Sequence, residues 1–161
     1  MIKVQSEDFD VGTEIEHLSK GDIGIGGLAC FVGLVRDIAD DERISSMMLE
    51  HYPGMTERQL AKIEAEARKR WQLSEVLIIH RYGKLTPGDR IVLVATTSAH
   101  RDAALESCRF LIDWLKTKAP FWKLENTESG ERWVEARESD TVAEKRWTIT
   151  GTASEKKSTR N

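Results

Sequence analysis

Apolar stretches with the length of β-strands recur along the chain between segments of helical periodicity. The stretch LACFVGLVR is rich in strand-forming residues, and we expect a strand buried on both faces with Arg36 at its polar end. ISSMMLEHY follows after a short charged turn, which favours an antiparallel hairpin between the two. Three further predicted strands are IKVQ, VLIIHRYG and IVLVATT, and the last two are expected to pair antiparallel across a type II turn at Pro87 and Gly88.

Two helices are predicted in the first half of the chain. Val11, Ile15 and Leu18 mark the apolar side of a short one. Thr56 and Gln59 have the spacing of a capping box and begin a longer one. Its buried side is marked by Leu60, Ile63, Ala67 and Trp71.

The longest helical pattern follows Ser98, a residue suited to cap a helix start. His100 and Arg101 then fall in the first turn, where backbone N–H groups, an arginine and a histidine together form a plausible anion site. At the other end of the helix, Lys116 and Lys118 lie near opposite edges of the apolar stripe. Helical periodicity therefore does not choose between the two lysines.

The segment after this helix predicts one more hairpin and a terminal helix. FWKLE and RWVEA flank a turn, and alternation places Phe121, Lys123 and Glu125 on one face. Ser139 or Asp140 is expected to cap a helix that extends through Trp147.

Strand pairs with intervening helices, without strict βαβ alternation, predict the α+β class. A length of 161 residues favours one domain, which we expect over residues 1–147, with residues 148–161 as a mobile tail because they lack an apolar stripe. The glycine-rich stretch GDIGIGG has no phosphate-loop signature and is interpreted as a turn.

Charge and cysteine content narrow the possible partners. A net charge of −3 argues against a protein that binds nucleic acid or an acidic membrane surface. No stretch approaches the roughly 20 apolar residues of a membrane span, so a cytoplasmic location is expected. Cys30 and Cys108 stand among apolar neighbours, which predicts two buried thiols, and no metal-ligand spacing occurs.

The basic residues around the long helix leave structural and functional interpretations open. Lysines at a helix C-terminus complement the helix dipole, and this explains Lys116 and Lys118 without a function. Arg101 is equally consistent with an anion contact and with an ordinary surface position. Lys123 lies between Trp122 and Leu124, where a partly desolvated ammonium can act as acid, base or nucleophile, although a lysine stem packed on apolar neighbours is an alternative.

Four stretches together resemble the large, catalytic subunits of molybdopterin synthases. They are LEHYPGM at 49–55, TSAHR at 97–101, LKTKAPFWK at 115–123 and WVEARESD at 133–140. The resemblance implies an α/β-hammerhead fold and a homodimer at the centre of a heterotetramer. It also implies a small ubiquitin-like sulfur-carrier subunit with a C-terminal Gly-Gly thiocarboxylate, which gives sulfur to cyclic pyranopterin monophosphate to form the molybdopterin dithiolene without a metal or another cofactor.

Carried over by position, the resemblance implies a set of substrate-binding residues that includes two catalytic lysines, Lys116 and Lys123. The set comprises Leu34, Val35, Arg36, His100, Arg101, Lys116, Lys123, Leu124 and Glu125. In our hypothesis Arg36, His100 and Arg101 bind the cyclic phosphate of the precursor. The two lysines engage the thiocarboxylate and the reacting side chain, with Lys123 as general acid or base.

Two other functions compete with this interpretation. A non-catalytic adaptor would dock the ubiquitin-like tail without turning over a pterin. A small domain that binds RNA or a phosphate ligand is disfavoured by the net charge and by the absence of an aromatic and basic stripe.

Overall fold

The computed structural model describes residues 1–135 and 138–149. These residues form two sheets and four helices, and this mixed arrangement confirms the predicted α+β class. The strands are β1 (Ile2–Gln5), β2 (Gly27–Leu34), β3 (Ile38–Ala39), β4 (Glu42–His51), β5 (Val76–Arg81), β6 (Gly83–Leu85), β7 (Arg90–Ser98), β8 (Phe121–Thr127) and β9 (Gly130–Val134). The helices are α1 (Val11–Ser19), α2 (Met55–Arg70), α3 (Arg101–Thr117) and α4 (Glu138–Ile149).

The first sheet has the strand order β1-β5-β7-β2. β1 runs parallel to β5, while β5 and β7 pair antiparallel, as their sequences predict. The turn before β7 has the predicted type II features, because the Asp89 amide donates to the Thr86 carbonyl oxygen at 3.0 Å and Gly88 has a φ of 91°. The short strand β6 lies inside this connection and was not predicted.

The prediction that β2 is buried on both faces is wrong. Within the described residues β2 pairs with β7 alone and forms an edge of the first sheet, so several of its side chains face solvent. Phe31 is exposed, and so is Cys30, which corrects the expectation of two buried thiols. Cys108 is buried as predicted, and burial raises the pKa of its thiol to about 12.

The second sheet has the order β3-β4-β8-β9, with β6 also paired to β4. The predicted hairpin between β2 and β4 is therefore wrong, because β4 pairs antiparallel with β3, β6 and β8 instead. The charged segment between β2 and β4 carries the chain from one sheet to the other. The β8–β9 hairpin is confirmed, with Lys123 opposite Val134.

Helix positions are confirmed, but three predicted caps are wrong. Ser98 is still paired in β7, so α3 begins after it and His100 is the N-cap residue. α2 begins after Gly54, whose amide donates to Glu57 Oε2 at 2.6 Å, while the Thr56 hydroxyl donates to the Tyr52 carbonyl oxygen. The third is α4, which begins at Glu138 and therefore contains both Ser139 and Asp140 in its first turn.

Alternation along β5 builds a core on each face of the first sheet. Val76 and Ile78 face the larger cluster, which includes residues of α2 and α3, whereas Leu77 and Ile79 face a smaller cluster against α1. Trp147 of α4 joins the larger cluster, and its Nε1 donates to Asp113 Oδ2 of α3 at 2.7 Å. The core contact and the hydrogen bond of Trp147 together hold α4 against α3.

None of the helices in the described part of the chain combines the length and apolar character that a bilayer crossing requires. The predicted mobile tail, residues 148–161, lies outside the described residues from position 150 onward.

Candidate active site

A cavity of about 470 Å³ opens where the C-terminal end of α3 meets both sheets and the start of α4. Its polar lining contains three cations, Arg36, Lys116 and Lys123. The predicted residues Leu34 and Glu125 also line it. The structure thus brings five of the nine predicted site residues into one place.

Lys116 reaches the cavity from the last turn of α3. Ile112, one helical turn earlier, lines the same cavity, so this side of the helix faces it. Lys118 has a different environment, because its Nζ contacts Glu144 Oε1 of α4 at 2.6 Å and lies 4.5 Å from the centre of the Trp114 ring. Tertiary structure therefore separates two lysines that periodicity left equivalent.

Lys123 reaches the cavity from β8, together with Phe121 and Glu125. The three side chains alternate to one face of the strand, as predicted. Leu124 points to the other face, opposite Met48 and Trp133 on the neighbouring strands, and does not line the cavity.

Glu125 is a buried carboxylate that is held by Arg132 of β9. Nε and Nη2 of Arg132 donate to Glu125 Oε2 at 3.0 and 2.9 Å. The same Nη2 donates to the carbonyl oxygen of Ala39 at 3.1 Å and lies 3.4 Å from Asp40 Oδ2. Glu125 raises the pKa of Arg132, so the guanidinium remains charged and ties the cavity wall to the β3–β4 turn.

Leu34, Val35 and Arg36 approach the cavity from the end of β2. The Val35 side chain is buried in the core and does not line the cavity, while its backbone is bonded on both sides to the turn before β7. This anchoring fixes the backbone next to Arg36, whose side chain is exposed and lines the cavity.

His100 and Arg101 lie at the opposite end of α3 from Lys116. Arg101 and Lys116 are fifteen positions apart in the helix, which corresponds to roughly 22 Å along its axis. Both side chains are exposed, and Arg101 Nε lies 3.7 Å from Asp102 Oδ1. A single chain therefore does not bring His100 and Arg101 to the cavity.

The glycine-rich stretch supports this end of α3. The Gly26 amide donates to the Ser98 carbonyl oxygen at 3.0 Å. A Cβ atom at Gly26 would meet the carbonyl oxygen of Ala99 at 2.1 Å, and one at Gly27 would lie 3.2 Å from Arg101 Cα. These glycines are needed for close backbone approach rather than for binding a phosphate.

His80 of β5 is a buried cavity residue that sequence reasoning missed. Its ring lines the cavity, is 6% exposed, and stacks on Phe121 with the ring centres 3.6 Å apart. Burial is the main cause that lowers the pKa of His80 to about 3, and the charges of Lys123, Lys116 and His51 act in the same direction. The available sequence signal was a histidine at the end of the otherwise apolar run VLIIH.

The charge of the lining is mixed rather than uniformly positive. Three carboxylates, Glu125, Glu135 and Asp140, accompany the three cations, and the charge of Glu125 is balanced by Arg132. No group of three or more His, Cys, Asp or Glu side chains that suits a metal ion occurs within residues 1–135 and 138–149. The described site can bind an anion through lysine and arginine and can transfer protons.

Fold and site together define a small α+β protein with a lysine-bearing cavity between two sheets. The MoaE protein family model matches residues 4–118, and the chain belongs to that family. This confirms the resemblance that was inferred from the four sequence stretches.

Curated relatives and solved structures agree with this membership. The molybdopterin synthase catalytic subunit of Pseudomonas aeruginosa is 53% identical over 146 residues, which cover 91% of this chain and 97% of the relative. The subunit of the same name from Escherichia coli is 52% identical with the same two coverages.

The fold is shared with solved structures as well. The molybdopterin biosynthesis MoaE protein from Burkholderia ambifaria has a TM-score of 0.79 and 52% identity, and the match covers 92% of this chain and 97% of that one. Molybdopterin synthase from Staphylococcus aureus has a TM-score of 0.76 at 28% identity, with coverages of 83% and 96%.

Proposed function

We propose that this chain is the catalytic subunit of a molybdopterin synthase, a sulfurtransferase of molybdenum cofactor biosynthesis. It transfers sulfur from the C-terminal thiocarboxylate of a small ubiquitin-like subunit to cyclic pyranopterin monophosphate. The observation that carries this proposal is the convergence of Lys116 and Lys123, from separate elements, on one cavity of a MoaE-family fold.

The chemistry of the cavity suits this reaction. A thiocarboxylate and a cyclic phosphate are both anions, and the ammonium groups of Lys116 and Lys123 and the guanidinium of Arg36 offer N–H donors to them. Lys116, at the rim, orients the partner's tail or attacks its acyl carbon as the neutral amine; in such an attack the C–N bond of an amide forms as the C–S bond breaks, and the sulfur leaves as hydrosulfide for the pterin. Lys123, half-buried on β8, acts as general acid or base. No metal or organic cofactor is required for these steps.

His100 and Arg101 enter the proposal through a second copy of the chain. Since about 22 Å of helix separates them from Lys116, they serve the cavity of a neighbouring subunit in a homodimer, where they bind the cyclic phosphate. The exposure of both side chains at the start of α3 supports this arrangement. Two small subunits at the ends of the homodimer complete a heterotetramer.

We also propose that residues 1–147 act as a single domain and that the protein works in the cytoplasm. Two core clusters that share the first sheet, with Trp147 in the larger one, support the single domain.

A reconstituted assay tests the function directly. Purified chain, thiocarboxylated small subunit and cyclic pyranopterin monophosphate are mixed, and formation of the dithiolene is measured. Lys116→Ala and Lys123→Ala should each lower the rate by at least about 100-fold, the order of effect seen when one group that stabilises charge in a transition state is removed. Lys118→Ala is the matched control and should retain most activity, since Lys118 pairs with α4 outside the cavity lining.

The assay also separates the enzyme from an adaptor. If the wild-type chain binds the small subunit but forms no dithiolene with demonstrably active components, the protein docks the tail and does not catalyse the transfer. Unchanged turnover in Lys123→Ala would refute the catalytic role of that residue.

A further inference from the structure

His80 has one ring nitrogen whose role is settled by its neighbour. Nδ1 lies 2.8 Å from the carbonyl oxygen of Arg81, and a carbonyl oxygen only accepts hydrogen bonds. Nδ1 therefore carries the proton and donates it. In the neutral ring this leaves Nε2 without a proton, so Nε2 is a hydrogen-bond acceptor.

The Nε2 atom is open to the cavity. None of the described residues forms a hydrogen bond with Nε2. If Nε2 were shielded from solvent it would be a buried nitrogen without a partner, and the described part of the chain contains no such side-chain atom. Nε2 is therefore reached by solvent, and the space that the ring lines is the cavity itself. His80 as a residue is only 6% exposed, so a largely buried side chain presents one unused acceptor to a bound ligand.

Ring contacts fix the direction of this acceptor. Phe121 lies almost parallel to the imidazole, with an angle of 14° between the planes, and the His51 ring packs against Phe121 with the centres 6.2 Å apart. Together with the Nδ1 hydrogen bond, the stack prevents the ring from turning. Burial keeps the pKa of His80 far below its usual value, so the acceptor stays neutral near pH 7.

A neutral acceptor differs in kind from the other polar groups of the cavity. Arg36, Lys116 and Lys123 only donate, and Glu125 is already committed to Arg132. An anionic part of a ligand binds to the cations, and it has no proton to donate to the lone pair of Nε2. An N–H group of a heterocycle is the complementary partner, and an uncharged acceptor recognises it without repelling a nearby phosphate.

We infer that His80 Nε2 accepts a hydrogen bond from an N–H group of the pterin ring system and thereby positions the heterocycle, while the cationic side chains bind the anionic part of the same substrate. This inference rests on the proposed function and adds to it a substrate-positioning residue on β5. The competing possibility, in which Nε2 accepts from a lysine ammonium and acts through that lysine, is an outcome of the test.

Two amide substitutions test the two ring nitrogens of His80 separately. In His80→Asn the amide nitrogen replaces Nδ1 and keeps the bond to the Arg81 carbonyl oxygen, but nothing replaces Nε2. In His80→Gln the longer side chain can place its amide oxygen near the Nε2 position. His17→Asn is the control, since His17 is exposed on α1 and does not line the cavity.

Direct binding is measured with cyclic pyranopterin monophosphate and, as a ligand without a ring, with inorganic phosphate. His80→Asn should weaken pterin binding by about 5- to 10-fold, the effect of one lost hydrogen bond, and leave phosphate binding unchanged. His80→Gln should recover most of the affinity, and His17→Asn should match the wild type. With saturating substrate, the turnover of His80→Asn should stay within about twofold of the wild type, as expected when an interaction common to ground and transition states is removed.

Unchanged pterin affinity in a folded His80→Asn chain overturns the inference. If turnover at saturating substrate also falls in that variant while affinity is unchanged, His80 acts through a lysine and not on the pterin. If the variants do not fold, the ¹⁵N resonance of Nε2 in the wild-type chain decides. It should shift on addition of the pterin but not of phosphate, and the absence of a shift overturns the inference. Because binding needs neither partner nor turnover, a wild-type chain that binds the pterin but forms no dithiolene refutes only the proposed function.

Discussion

Arg132 holds the buried carboxylate of Glu125 with two donors, Nε at 3.0 Å and Nη2 at 2.9 Å. Through the same guanidinium it reaches the carbonyl oxygen of Ala39 at 3.1 Å. One side chain on β9 therefore fixes both a carboxylate in the cavity wall and the turn that follows the Arg36 segment.

Replacing Arg132 should damage both stability and activity. Arg132→Leu leaves the Glu125 carboxylate buried without its partner, so the free energy of unfolding should fall by about 1–3 kcal/mol. Sulfur transfer should fall at least about tenfold, because Glu125 and the β3–β4 turn lose their fixed positions. Urea unfolding and the reconstituted assay measure the two effects.

Arg68→Ala is the control for this prediction. Arg68 contacts Glu64 at 3.0 Å on the surface of α2, and loss of such a pair should lower stability by less than about 1 kcal/mol with activity retained. Equal effects of the two substitutions would mean that the Glu125 pair has no special role.

A substitution at Gly26 should disturb the start of α3. In Gly26→Ala the added Cβ would lie 2.1 Å from the Ala99 carbonyl oxygen, so the two backbones must separate. We expect a loss of about 1–3 kcal/mol in stability and weaker phosphate binding, since the turn carries His100 and Arg101. Gly24→Ala, in the same loop, meets only the side chain of Asp22 and should behave like the wild type in both measurements.

Burial of His80 should make stability depend on pH. The pKa is about 3 in the folded chain and about 6.5 when unfolded, so the unfolded chain binds more protons between these values. The contribution of neutral His80 to the free energy of unfolding is therefore complete above pH 6.5 and is lost as the pH falls toward 3. The free energy of unfolding then falls by up to about 1.4 kcal/mol per pH unit.

The measurement compares urea unfolding of the wild type and His80→Gln from pH 7 down to pH 4. Their stability difference should shift in favour of the variant as the pH falls, because glutamine does not titrate. Parallel curves would show that His80 is not buried in its neutral form.

Mixed assemblies should show whether one cavity uses two chains. Lys116→Ala and Arg101→Ala chains, each nearly inactive alone, are unfolded together and refolded as a mixture. If Arg101 serves the neighbouring cavity, a mixed dimer contains one intact site, and random pairing restores about one quarter of wild-type activity. A mixture no more active than its components would show that Arg101 does not complete the neighbour's site.

Much of the site could be assigned from the sequence because its motifs are local. LKTKAPFWK contains both Lys116 and Lys123, and alternation alone placed Lys123 and Glu125 on one face of a strand. The pairing of β4 with β8 was mispredicted, because strand partners distant in sequence depend on how the two sheets pack and not on periodicity. For the same reason Cys30 lies exposed on an edge strand although its neighbours in sequence are apolar.

The sequence by itself determined the helices and the turn at Gly88, since each depends on residues within a few positions of one another, and the family resemblance of LKTKAPFWK selected Lys116 and Lys123. Tertiary structure supplied the physical reason that Lys116 and not Lys118 lines the cavity, because α4 carries Glu144 to Lys118. It also placed His80 beside Phe121 and separated Arg101 from the cavity of its own chain. Such contacts join segments that are far apart along the chain, so no local pattern records them.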